Sequence, residues 1–330
     1  MSVARVATFG LLVACAAGGT LMGAGQQPQG VGQMPSSLPL TAPIRERGSS
    51  VTPAFEGWYF DKDGTQRVLV GYFNRNTKQE FDIPAGPNNR IEPGDPDQGQ
   101  PTHFNPGRQW GVFTIKLPKD FGNKKLTWTI VANGFTNAIT LHTQADYIVE
   151  PFGDAASKNT PPTLKFRADG PGFMGPPSVT AEKYTATVGV PLALPVWASD
   201  EGPKVNIPEP RTGRGRGGRG DAAAGAETAG RGAGRAGAAA PPEFQPPPPL
   251  ALTWTKFRGP GDVKFDNPKP AIDRAANGKS TATATFSAPG DYILRVEGND
   301  STGVGGGGFQ CCWTNAYVSV TVKPGTGTGG

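Results

Sequence analysis

Two cysteines stand side by side at 311 and 312, inside the stretch GFQCCWTNAYVSV at 308–320. The only other cysteine is Cys15. Neighbouring Cα atoms lie about 3.8 Å apart across a trans peptide, and a relaxed disulfide spans about 4.4–6.8 Å. A Cys311–Cys312 bond therefore needs a distorted backbone, which the preceding STGVGGGG is pliable enough to supply. The alternatives are one buried and one exposed thiol, a bridge to another chain, or capture of a soft metal. The vicinal disulfide is the favoured reading, because neither cysteine has another partner in the chain once the N-terminal segment is removed. Phe309 and Trp313 flank the pair. A compact apolar ring between two aromatics predicts a small binding patch among the loops at one end of a β domain. In the competing reading, Phe309 and Trp313 plug the end of the core.

His103 and His142 are the only histidines. His103 sits in GQPTHFNPGRQW, near Asp95, Asp97 and Arg108. An open cleft in which His103, Asp97 and Arg108 converge would suit an enzyme or a sugar-binding site; a loop held by its own turn hydrogen bonds would not. A structural metal site wants three or four ligands at tight spacing, and no metal or cofactor is assigned. FDKDGT at 60–65 has Asp61, Asp63 and Gly64 in calcium-loop style but lacks the later ligands, so it reads as an Asp-Gly hairpin turn. No GxSxG, HExxH or phosphate loop is present, and no catalytic residue is assigned. The candidate binding residues are Phe309, Cys311, Cys312, Trp313, His103 and Arg108.

The chain's first residues read as an address. Arg5 precedes the apolar run VATFGLLVACAAGGTLMGAG, and the polar QQPQGVGQ follows. That is the pattern of a secretory signal peptide over 1–25, cleaved near Ala24 or Gly25. LVAC at 12–15 also resembles a lipobox, which would leave a lipid on Cys15. The glycine-diluted run is weak as a membrane span, and no other stretch is long and apolar enough. The expected location is secreted or periplasmic, or lipid-anchored at Cys15.

Net charge is +5 in 330 residues. Six arginines and two acids between 211 and 240 supply most of it, and the rest of the chain beyond Arg5 nets zero. The basic balance therefore argues for no nucleic-acid-binding domain. Arg211, Arg214, Arg216 and Arg219 belong to an RGG-like run. It reads as a solvated segment in contact with an anionic surface, because export takes it away from nucleic acid.

The elements that must position these residues are strands. QRVLVGYFN, WGVFTIKLP, KLTWTIVAN and ADYIVEPF are short, β-branched and aromatic, with turn residues between them. Phe113, Ile115 and Leu117 alternate with polar residues, as do Leu126, Trp128 and Ile130. The reading is a flexible leader over 26–50, a β-sandwich over 51–152, and a Pro/Gly linker over 153–178. Leu192, Leu194 and Val196, then Leu252 and Trp254, then Val318, Val320 and Val322, mark the inward faces of a second sandwich over 179–323, followed by a disordered tail at 324–330. The fold class is all-β, two sandwiches.

VGVPLALPVWASDEG, LTWTKFRGPGDVKFDN, ATATFSAPGDYILRVEGNDS and YVSVTV together resemble a PKD or cadherin-like module of the immunoglobulin-like superfamily. The resemblance rests on a polar turn after the second strand, a Trp on the third, and the entry Pro289, Gly290, Tyr292, Leu294 into the sixth. It implies a fold; such modules serve as spacers, adhesins and ligand binders alike. The departure is an insert at 203–249, Arg-Gly rich and ending in polyproline, expected to be disordered. The resulting expectation is an exported, non-catalytic binding or adhesion module whose partner is an extracytoplasmic protein or glycan. The alternative is an extracytoplasmic enzyme or carbohydrate-binding accessory module with its site in the first sandwich.

Overall fold

The computed structural model describes residues 44–155, 158–202, 250–300, 302 and 311–325. The expected signal segment, most of the leader, the insert 203–249, Phe309 and the end of the tail lie outside the described residues. Those described are all-β, with a single 3-10 turn at Ala145–Tyr147 as their only helical element.

The first lobe contains β1 (Val51–Phe60), β2 (Gln66–Asn74), β3 (Phe81–Asp82), β4 (Asn89–Glu92), β5 (His103–Phe104), β6 (Gly107–Lys116), β7 (Leu126–Ala132) and β8 (Phe135–Leu141). One antiparallel sheet runs β1-β2-β6 and another β4-β7-β8, while β3 pairs with β5. Period-two alternation puts Phe113, Ile115, Leu117, Leu126, Trp128 and Ile130 into one core, none more than 7% exposed. β1 turns into β2 through Asp61–Thr65. There Gly64 N donates to Asp61 O at 2.8 Å and Gly64 adopts φ +78, so FDKDGT is a hairpin turn.

The second lobe contains β9 (Thr163–Lys165), β10 (Thr180–Thr187), β11 (Leu192–Ser199), β12 (Leu250–Arg258), β13 (Val263–Phe265), β14 (Lys279–Phe286), β15 (Gly290–Asp300) and β16 (Trp313–Lys323). Its sheets run β10-β16-β15-β12 and β13-β14-β11-β9, with β10 parallel to β16. Taking β11 to β16 as the second to seventh strands, this is the immunoglobulin-like arrangement of two facing sheets. Trp254 on the third strand is 1% exposed. Tyr292 Oη donates to Ala288 O at 2.8 Å and accepts from Gly261 N at 3.1 Å, a tyrosine corner at the entry to the sixth strand.

Two boundaries shift. The stretch 153–178, expected as a linker, carries β9, which pairs with β11 through Leu164↔Ala198. Within its Pro/Gly-rich composition, TLKF alternates, and Leu164 (0% exposed) and Phe166 (4%) enter the second core. The leader expected to run to residue 50 is already packed at its end, where Ser49 N donates to Asn76 Oδ1 at 2.7 Å.

Replacing Leu164 by Ala should destabilise the protein by about 2–5 kcal/mol, the usual result of truncating a buried leucine. Chemical denaturation measures it; an unchanged midpoint would return this segment to linker status.

Candidate functional site at the junction of the lobes

Cys311 and Cys312 are joined by a disulfide across a cis peptide, with Cα atoms 3.0 Å apart. They are 6% and 1% exposed, and Trp313, where β16 begins, is 3% exposed. The expected exposed patch at Cys311, Cys312 and Trp313 is therefore corrected: these side chains are interior. The reason lies in β6. Gly111 adopts φ +50, and a Cβ on it would meet the Trp313 ring at 1.8 Å. The missing side chain is the slot the indole occupies, and Tyr59 and Leu69 complete the cluster around it. Phe309 lies outside the described residues.

The same face of β16 continues the contact. Asn315 Nδ2 donates to Trp110 O and Gly111 O at 3.1 and 3.0 Å. Tyr317 Oη donates to Val112 O, and the Tyr317 ring lies 4.6 Å from Phe257. Phe257, on β12 of the second lobe, packs into the core of the first.

Charged groups frame this seam. Lys256 Nζ lies 2.7 Å from Asp82 Oδ1 on β3. Arg258 makes a bidentate pair with Asp97 at 2.7 and 2.9 Å. Arg295 Nη2 donates to Gln109 Oε1 at 2.5 Å. The partners in these three contacts lie 161 to 186 positions apart in sequence, so no local spacing pointed to them. The one available signal was the unusual KFR at 256–258 in a strand otherwise read as half-buried.

His103 on β5 shares Asp82. Its Nδ1 is 3.0 Å from the same Asp82 Oδ1, and its Nε2 is 3.5 Å from Glu80 Oε2. Burial works against the charged imidazole, but hydrogen bonds to Asp82 and Glu80 outweigh it, so the His103 pKa is raised. Arg108 turns elsewhere. Its Nη2 lies 2.6 Å from Glu56 Oε1, and its guanidinium stacks 3.8 Å over Trp110. Glu56 sits where the β1–β2 register slips between Phe55 and Gly57, and bulges of this kind re-aim a side chain. Opposite it, Gly71 leaves room: a Cβ there would be 2.1 Å from Glu56 Oε1. Burial raises the Glu56 pKa against the pull of Arg108 and a hydrogen bond from Gly111 N.

His103, Asp97 and Arg108 thus have three different partners and do not converge. The loop around them is tied by its own turns: Asp97 N donates to Asp95 Oδ1 at 2.9 Å, and Gly99 N to Asp97 Oδ1 at 3.0 Å. Among the described residues no three His, Cys, Asp or Glu side chains are placed to hold one metal ion. His142 belongs to a different feature, a set of rings on the first lobe, 4.6 Å from Phe55 and 4.7 Å from the half-exposed Tyr147.

No family model matches the chain, and no curated protein does. Among solved structures, domains 1–6 of the surface layer protein SbsC align with 84% of this chain at 12% identity and TM-score 0.22. This chain spans 28% of that one. The titin Ig tandem domains A164–A165 align over 84% of this chain and all of theirs, at 10% identity and TM-score 0.21. The class is defined by the strand order itself: an all-β chain whose second lobe is an immunoglobulin-like sandwich.

Two measurements check the seam. Gly111→Ala should cost about 1–3 kcal/mol for overpacking Trp313 and about 1–2 kcal/mol more for alanine in the left-handed region. Gly64→Ala, at φ +78 with open space around it, should lose only the second amount. Equal losses in denaturant titrations would remove Trp313 from the argument.

His103 gives a pH dependence. Its pKa is raised in the folded protein, so its contribution is fully present below the unfolded value of about 6.5 and is lost as pH rises through the folded value. The stability difference between the protein and His103→Asn should therefore be largest near pH 5–6 and shrink above it. A difference that stays unchanged as pH rises from 6 through the folded value of His103 would contradict the assignment.

Proposed function

We propose that the protein is an exported, non-catalytic module that binds or adheres outside the cytoplasm, its second lobe of the PKD or cadherin-like kind. The observation that carries this reading is how the chemically capable side chains are used. His103, Asp97, Arg108, Lys256 and the cysteine pair are committed to pairs and packing at the seam, which suits a rigid scaffold better than a reaction centre. Export is supported by Arg5 and the apolar run after it, and by a disulfide, which persists in oxidising compartments. No helix among the described residues is long and apolar enough to cross a membrane.

The test is fractionation of native cells, with mass spectrometry of the purified chain and binding of the mature protein to immobilised glycans and surface proteins. The expected result is an extracytoplasmic protein beginning near Gln26 that binds one of these saturably. A chain that retains Met1 and stays in the cytoplasm would overturn the proposal, and a lipid on Cys15 would replace free export with anchoring.

A carbohydrate-binding accessory role for the first lobe has one observation in its favour, the rings of Phe55, His142 and Tyr147. Aromatic faces stack on apolar ligand faces. On a glycan array, Tyr147→Ala should abolish any sugar binding by this lobe; unchanged binding would exclude these rings.

A further inference from the structure

The sheet β13-β14-β11-β9 covers the second core with one face and turns the other outward. On β11, Leu194, Val196 and Ala198 are buried, so alternation sends Pro195 and Trp197 to the outer face, where Trp197 is half-buried. Register then decides what flanks the indole. Trp197 pairs with Lys165 on β9 and with Lys279 on β14. Neighbouring strands lie about 4.8 Å apart, so a lysine stands on each side of the ring, within reach of one ligand. Lys279 Nζ lies 5.5 Å from the ring centre. Among the described residues neither lysine is ion-paired.

The carboxylates nearby leave this charge in place. Asp273 meets Lys279 through the backbone, and its Oδ1 accepts from Ala275 N and Ala276 N inside its own turn. Lys264 on β13 and Asp266 two residues further offset one another on the far side of the sheet. Asp169 is exposed and shares with Lys165, Trp197, Ser199 and Asn277 the lining of a cavity of about 220 Å³ beside the indole. Along β14, Thr281 and Thr283 continue the outer face opposite Pro195 and Ala193. A half-open aromatic between two unpaired cations suits a ring that is apolar on its face and carries carboxylate and hydroxyl groups at its edge.

We propose that this face binds an acidic polysaccharide of the uronic-acid type, with a sugar ring on Trp197, carboxylates of the chain on Lys165 and Lys279, and hydroxyls on Asp169 and Asn277 in the cavity. The proposal rests on the reading of the protein as an extracytoplasmic binder and names the ligand class. The contact of the Lys279 ammonium with the indole is weak at an exposed site. A sugar ring therefore displaces it at little cost and gives it a carboxylate in exchange.

Calorimetric titration of the full-length protein with a galacturonate oligosaccharide tests this, with the carboxyl-reduced oligosaccharide as the neutral probe. The acidic probe should bind saturably, about tenfold or more tighter than the neutral one, and added salt should narrow the gap. Trp197→Ala should weaken the acidic probe by about tenfold or more. Lys165→Gln with Lys279→Gln should bring the acidic probe down to the level of the neutral one, and this surface variant decides the matter if Trp197→Ala fails to fold. No binding of the acidic probe, equal affinity for both probes, or an unchanged affinity in either variant would overturn the proposal. So would equally tight binding of an inorganic polyphosphate that Trp197→Ala leaves intact, which would reduce the face to a nonspecific charge contact. Saturable binding of a surface protein instead, unaffected by Trp197→Ala, would overturn this site while sustaining the reading of the protein as an extracytoplasmic binder.

Discussion

The absence of a side chain at Gly111 is the constraint on which the arrangement of the two lobes depends. Trp313 is the first residue of β16, and its indole fills the space a Cβ on Gly111 would take. That contact brings β16 against β6 closely enough for Asn315 to reach two carbonyls of β6 and for Tyr317 to reach a third. The disulfide just before Trp313 is buried by the same approach. The cysteine pair is thus part of how the lobes meet.

Charge at the seam is arranged by burial. Asp82 and Asp97 are about half exposed, and pairs of that kind contribute modestly. Glu56, with its side chain 2% exposed, is different. Its pKa is raised even with Arg108 beside it, so desolvation exceeds what the arginine returns. The Glu56–Arg108 pair ties the bulge in β1 to β6. Removing either partner would leave a buried polar group without its complement, the costly outcome.

The second lobe holds its sheets together without a disulfide between them. Leu194 and Val196 on β11 and Leu294 and Val296 on β15 are fully buried with Trp254. The tyrosine corner closes the turn before the sixth strand. β9 covers the flank of β11 and carries Leu164 and Phe166 into the core.

The strands and their inward faces were legible in the sequence because alternation is a local property: Phe113, Trp128, Leu194 and Val320 are buried as their period predicts. So were the Asp-Gly hairpin at 61–65 and the Trp and Tyr marks of the second lobe. Cys311, Cys312, Trp313, His103 and Arg108, singled out in the sequence as binding residues, lie at or beside the seam between the lobes. What the sequence could not decide was whether these side chains face solvent. Trp313 is interior only because a glycine some 200 residues earlier lies opposite it, and Asp82, Asp97 and Gln109 find their cations across a similar separation. Composition also hid β9, because four alternating residues are outweighed by the prolines and glycines around them. Local pattern determines which way a side chain points from its own strand; only the docking of one lobe on the other determines what stands in front of it.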